Sequence, residues 1–146
     1  MALKGINHIV LKVRDPDASE GFYRLLGFEP TGTREDLGMR FFSAGGHHHH
    51  LALYPVGPEA PAPPSGGVGM AHFCVTVEEE GDLRILHDAL ATAGHRILGL
   101  TDHVVSRSFY ARDPDGHTVE VTWDVPREQW AHLDNPFAED RPYELP

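Results

Sequence analysis

The chain repeats itself, and this repeat restricts the fold more than any other feature. Asn7-His8-Ile9-Val10-Leu11-Lys12-Val13 has a counterpart in Ala71-His72-Phe73-Cys74-Val75-Thr76-Val77. Each stretch starts a strand-like alternation at a histidine and places a valine five residues later. Each is followed by a helical pattern. The first is expected over 16–26, with Asp15 as N-cap and Pro16 at the first helical position. The second is expected over about 80–93. Both stop at a glycine, Gly27 and Gly94, the residue suited to a left-handed C-terminal cap.

Three short strands are expected after each glycine: 28–34, 39–44 and 48–54 in the first half, and 95–101, 106–112 and 118–124 in the second. Gly45-Gly46 and Asp113-Pro114-Asp115-Gly116 supply turn chemistry between the last two strands of each set. The order β-α-β-β-β therefore occurs twice. A period of about 64 residues is too long for a solenoid repeat and points to a duplicated module. A Pro- and Gly-rich linker, 56–67, separates the halves. The expected organisation is one domain over 1–146: module 1 at about 3–55, module 2 at about 68–125, and a C-terminal tail at 126–146.

Side chains alternate faces along a strand. Ile9, Leu11 and Val13 face one way, towards the helix, and His8 faces the other. In the second module Phe73, Val75 and Val77 share the packing face, with His72, Cys74 and Thr76 opposite. In the last strand Val119, Val121 and Trp123 pack, while Thr118, Glu120, Thr122 and Asp124 face away. Three strands thus pair an apolar face with a face that carries a potential metal ligand. Such a pattern suits an α+β fold whose mixed sheet curves around a polar cavity.

Charge narrows the partners. The 146 residues carry a formal net charge of -10 with no basic cluster, so neither nucleic acid nor an anionic membrane is an expected partner. No apolar run approaches the roughly 18 residues of a spanning helix. No apolar leader precedes the first strand and Cys74 is the only cysteine, so a cytoplasmic protein without disulfides is expected.

The duplicated pattern, N-H-I-V-L-K-V, M-A-H-F-C-V-T-V and S-F-Y-A-R-D-P-D-G-H-T-V-E-V together resemble the vicinal oxygen chelate superfamily. That group includes glyoxalase I, extradiol ring-cleaving dioxygenases, fosfomycin-modifying transferases and bleomycin resistance proteins. The resemblance covers about residues 3–125. It implies two tandem modules whose curved mixed sheet encloses a metal cavity, with His8, His72 and Glu120 as ligands. Two neutral imidazoles and one carboxylate form a facial triad that suits Fe(II) and also accepts Mn(II) or another divalent ion. A lone strand histidine is usually a core or surface residue; two at matching repeat positions, with a matching Glu, are not independent accidents.

The run His47-His48-His49-His50 precedes an apolar Leu51-Ala52-Leu53-Tyr54. Aligning the halves on Gly46 and Gly116 sets His50 opposite Glu120, where glyoxalase I usually has a fourth ligand, a Glu. The extradiol enzymes carry an H-x-x-A-L or H-H-x-x-A-F pattern here, with an acid/base histidine. His49-His50-Leu51-Ala52-Leu53 resembles it and points at His49, whereas strand parity points at His50. His47 and His48 are expected to sit at an exposed strand end. Tyr110 resembles the tyrosine of the family's S-F-Y stretch, and His103, in H-V-V-S, resembles an H-x-x-S segment; both are expected to assist. Arg107 and Arg112 are candidates for steering an acidic substrate, Arg112 more simply a surface residue. Trp130 and Phe137 of the tail are expected to pack on the chain's own surface.

The implied function is an Fe(II)-dependent extradiol-type dioxygenase, a homodimer by family habit, using O2 and a catechol-like vicinal diol. The alternatives are a metal-dependent glutathione or thiol transferase of the fosfomycin-resistance or glyoxalase I type, and a non-catalytic drug-binding protein.

Overall fold

The computed structural model describes residues 2–64 and 66–146. The chain divides into two compact units, Met1–Ala62 and Pro63–Pro146. The first contains β1 (Ile9–Val13), α1 (Pro16–Leu25), β2 (Glu29–Arg34), β3 (Met39–Ser43) and β4 (Leu51–Pro55). The second contains β5 (Phe73–Val77), α2 (Glu80–Thr92), β6 (Ile97–Asp102), β7 (Ser106–Arg112) and β8 (Thr118–Asp124). The expected twin β-α-β-β-β modules are therefore present, each as its own four-stranded mixed sheet. The strand orders are β1-β4-β3-β2 and β5-β8-β7-β6. In both, the outer first strand runs parallel to the last, and the remaining pairs are antiparallel.

Local chemistry explains the helices. The Asp15 carboxylate accepts from the backbone N–H groups of Asp17 and Ala18, and Pro16 gives up no hydrogen bond at the first position. Helix α2 opens with a capping box in which Glu79 and Asp82 satisfy each other's backbone N–H. Gly27 and Gly94 follow the two helices at φ +86° and +83°, a conformation costly for any residue with a Cβ.

Register fixes which face is dry. Leu11 sits beside Leu53, Phe73 beside Val119, and Val75 beside Val121. In the first unit Leu11, Leu53 and the fully buried Phe22 and Tyr23 of α1 build the core; in the second, Val119, Val121 and Phe109 join Leu83 and Leu90 of α2. Each large side chain so buried contributes about 2 kcal/mol by removal from water. The opposite faces carry His8, Cys74, Glu120 and Tyr110.

One boundary departs from expectation. Strand β4 begins at Leu51, so His48, His49 and His50 precede it. The ladder reaches only as far as His50, whose N–H donates to Phe42 and whose carbonyl accepts from Ile9. Over this stretch the imidazole rings of His47, His48, His49 and His50 meet one another at 4.0–5.1 Å.

The turn before β8 depends on a buried carboxylate. Asp113 Oδ1 accepts from the N–H groups of Asp115 and His117, and Oδ2 meets His117 Nδ1 at 2.8 Å. This contact raises the pKa of His117, with burial opposing it. Asp113→Ala is expected to lower the unfolding free energy by about 1–3 kcal/mol in urea titrations. Because the folded-state pKa of His117 is raised, the ion pair's contribution is complete below the unfolded value of about 6.5. It fades as pH rises through the higher folded value, so the deficit of the variant is expected to shrink over that window. A deficit that grows with pH contradicts this assignment.

Candidate functional site

In the second unit the sheet sets a row of polar side chains on its open face. Cys74 of β5 lies beside Glu120 of β8, and Glu120 lies beside Tyr110 of β7. His72 stands one residue before β5, on the Cys74 face by alternation. Its Nε2 is 2.9 Å from Glu120 Oε2. The Glu120 residue is only 7% exposed. A carboxylate so placed is costly unless polar groups surround it, and His72, His103 and Tyr110 supply them. The rings of His72 and Tyr110 meet edge to face at 5.6 Å. Desolvation first, then the charge of Glu120 and a hydrogen bond to its carboxylate, push the Tyr110 phenol well above its ordinary range. Tyr110 therefore remains a neutral phenol throughout the physiological range.

His103 completes the cluster. Its Nε2 is 2.7 Å from the Tyr110 hydroxyl and 3.7 Å from Glu120 Oε1. It projects from the β6–β7 hairpin, held by a tight turn in which the Val105 N–H donates back to the His103 carbonyl at 2.8 Å. Val104, at the centre, has φ +72°, a strained conformation for a β-branched residue. The Asp102 side chain steadies it by accepting from the Val104 N–H at 2.7 Å. Strain of this kind persists only where surrounding contacts over-determine the backbone.

In the first unit His8 Nδ1 is 2.6 Å from Asn7 Oδ1. The amide oxygen can only accept, so the proton lies on Nδ1 and the Nε2 lone pair is bare, the tautomer a metal ligand needs. The Asn7 amide in turn donates to His47 Nε2 at 2.9 Å. The His49 ring packs on His8 at 4.4 Å and on Phe41 at 5.1 Å. His50 is occupied elsewhere: its Nδ1 accepts from the Ala44 N–H and lies 3.2 Å from the Ser43 hydroxyl. Of the two histidines left open by the sequence, His49 is the one beside His8. Desolvation, followed by repulsion from neighbouring imidazoles, lowers the pKa of His49 and of His47.

Among the described residues, no three His, Cys, Asp or Glu side chains gather in the arrangement of a metal site. Within the second unit the fit can be judged on His72 and Glu120. Two cis ligands of an octahedral first-row ion, each about 2.1 Å from it, lie about 3 Å apart. The 2.9 Å between His72 Nε2 and Glu120 Oε2 matches that spacing, and imidazole with carboxylate is a donor pair suited to such ions.

Four side chains, Arg107, Asn7, Asp140 and Phe137, behave differently from expectation or were not anticipated. Arg107 is not free to steer a substrate. It pairs with Glu80 at 2.8 Å and Asp102 at 3.3 Å, and its guanidinium lies near the rings of Trp123 and Tyr143. Asn7, which sets the His8 tautomer, adjoins a candidate ligand and was legible from that adjacency. Asp140, on the tail, contacts His103 with no signal in the local sequence. Trp130 does pack on its own unit, donating to the Val125 carbonyl, while Phe137 is 76% exposed.

Comparison with known proteins places these residues in context. The family described as the Glyoxalase/Bleomycin resistance protein/Dioxygenase superfamily matches residues 5–121. The catechol-2,3-dioxygenase of Bacillus subtilis is 32% identical over 111 residues, covering 75% of this chain and 37% of that protein. The biphenyl-2,3-diol 1,2-dioxygenase 2 of Rhodococcus globerulus is 30% identical over 133 residues, covering 88% of this chain and 69% of that protein. The chain thus spans little more than a third of the first relative and about two thirds of the second. A solved glyoxalase/bleomycin resistance protein/dioxygenase domain from Frankia shares the fold with a TM-score of 0.72 at 23% identity, covering 85% of this chain and all of that one. No helix among the described residues is long and apolar enough to cross a membrane.

The electrostatics of the row can be tested through its thiol. Desolvation, then Glu120 and Asp124, push the exposed Cys74 thiol up to about 12. Only a thiolate is alkylated at an appreciable rate, and each pKa unit is tenfold in its population. In metal-free protein at neutral pH, Cys74 is expected to react with iodoacetamide at least about a hundredfold more slowly than free cysteine. Glu120→Gln is expected to accelerate it by about tenfold. Reaction at the free-thiol rate in the wild type contradicts the description of this row.

Proposed function

The chain belongs to the Glyoxalase/Bleomycin resistance protein/Dioxygenase superfamily, and on that premise we propose that it is an Fe(II)-dependent extradiol-type dioxygenase acting on a catechol-like vicinal diol. The observation that carries this reading is the juxtaposition of a ligand-spaced His72–Glu120 pair with a Tyr110–His103 hydrogen bond on the same sheet face. The dioxygenase names of relatives at about the same level of identity support it.

His72 and Glu120 are the proposed ligands from the second unit, and His8 the third. Iron(II) held by this set would supply Lewis acidity for a chelating diol and redox chemistry with O2. Mn(II) satisfies the same donors.

The chain's own residues handle binding and protons. His49, kept neutral by its surroundings, accepts a proton at a ring nitrogen from one substrate hydroxyl and later returns it. Tyr110, kept as a phenol, offers its oxygen to the other hydroxyl. Its hydroxyl lies 2.7 Å from His103 Nε2 and also hydrogen-bonds Glu120, and His103 gives the substrate proton a second route away. His50 stays bound to the β3–β4 connection and takes no part. In the first unit the Phe41 ring against His49 offers an apolar surface that suits an aromatic ring.

The test is O2 uptake and ring-opened product with a panel of catechols and anaerobically loaded iron. Turnover is expected, with His72→Ala and Glu120→Ala inactive. Tyr110→Phe and His49→Ala are expected to lower kcat by about 10²–10⁴. Absence of turnover across a broad panel, in protein that holds iron, rejects the dioxygenase reading.

A further inference from the structure

The C-terminal tail does more than cover the second unit. Arg141 and Asp102 form an antiparallel bridge, with Arg141 N–H to the Asp102 carbonyl at 2.8 Å and Asp102 N–H to the Arg141 carbonyl at 3.0 Å. In an antiparallel pair the next residues face each other, so this bridge sets Asp140 opposite His103. Asp140 Oδ1 lies 2.6 Å from His103 Nδ1. Further contacts hold the tail on the same unit. The Tyr143 hydroxyl donates to Glu80 at 3.0 Å, and Arg84 donates to the carbonyls of Leu145 and Pro146.

A carboxylate can only accept, so the Nδ1 of His103 carries a proton. In the neutral ring Nε2 is then bare and can itself only accept, and the group facing it is the Tyr110 hydroxyl at 2.7 Å. The Nε2 lone pair is therefore open to the phenol proton, for which the Glu120 carboxylate, also hydrogen-bonded to Tyr110, is the competing acceptor. Without a partner at Nδ1 the imidazole would be free to place its proton on Nε2 and donate towards Tyr110. The Tyr110 hydroxyl would then accept from His103, and its own proton would go to Glu120.

We propose that Asp140 is a positioning residue that fixes His103 in its Nδ1–H form and so keeps Nε2 open to accept from the Tyr110 hydroxyl. The proposal makes the tail part of the site, through one side chain on a backbone bridge. The tautomer itself depends on no reaction. Its effect on turnover rests on the dioxygenase reading above.

The experiment is a long-range ¹H–¹⁵N correlation of the histidine rings in the full, metal-stripped chain, at mildly alkaline pH where an ordinary imidazole is neutral. The His103 signals are assigned from their loss in His103→Gln. The wild type is expected to show a protonated, pyrrole-like Nδ1 and a bare, pyridine-like Nε2. In Asp140→Ala the population is expected to move to the Nε2–H form. Asp140→Asn preserves the shape of the tail but can donate as well as accept, and is expected to give a mixture. Unchanged amide signals of Asp102 and Arg141 establish that the bridge persists in the variants. A wild-type Nε2–H ring, or an Nδ1–H ring unaltered in both variants, overturns the proposal. In iron-loaded protein that turns over a catechol, Asp140→Ala is expected to lower kcat on the order of tenfold and leave KM nearly unchanged. If no catechol is turned over but the tautomer moves as stated, the dioxygenase reading fails and this inference stands. Turnover with an unmoved tautomer has the opposite meaning.

Discussion

A carboxylate on the middle of a sheet is the constraint on which the second unit depends. Glu120 occupies the strand between β5 and β7 and is 7% exposed. Its burial is tolerable only because neighbouring strands present groups that favour negative charge or accept its presence. His72 meets one oxygen and His103 approaches the other, while the adjacent Cys74 and Tyr110 are driven to hold their protons. Desolvation leads in both shifts, and the charge of Glu120 follows, with Asp124 adding to the effect on Cys74. Between Glu120 and Asp124 along β8, Thr122 forms a neutral, buried hydroxyl pair with Ser108 at 2.8 Å.

The first unit solves a different problem. It brings together five imidazoles, of His8 and His47 to His50, which would repel one another if protonated. Desolvation first, and then their mutual repulsion, lowers the affinity of His47 and His49 for protons. Neutral imidazoles are both proton acceptors and metal ligands. The run divides by hydrogen bonding: Asn7 ties His8 and His47, the β3–β4 connection ties His50, His48 meets His49 through their Nδ1 atoms at 2.7 Å, and His49 packs between His8 and Phe41. Four adjacent residues of one type therefore have distinct surroundings.

The fold was legible because the two periodicities that encode it are local. Alternation along β5, β7 and β8 and the caps at Asp15, Gly27 and Gly94 need no knowledge of distant chain. Strands β7 and β8 have the boundaries that the pattern suggests. The face borne by His72, Glu120 and Tyr110 follows from the same alternation. Legibility ended where position is set by non-local contacts. The hydrogen bonds from Ser43 and Ala44 that engage His50 are of this kind, and strand parity does not encode them. Arg107 looked like a free cation because Glu80 is remote in sequence and reaches it only once α2 has packed. Asp140 was invisible because a tail must first pair with the edge of β6.

The central claim is that His72 and Glu120 are metal ligands and that the histidine run is not the principal metal-binding feature. Iron content of untagged protein, expressed with iron and washed with a weak chelator, tests it directly. The comparison is among wild type, His72→Ala, Glu120→Ala and a chain in which both His47 and His48 are alanine. The account predicts about one iron per chain in the wild type, loss in the two single variants, and retention in the double variant. Iron that persists in His72→Ala and Glu120→Ala but is lost with His47 and His48 would contradict it, and would assign the metal to the exposed imidazoles instead.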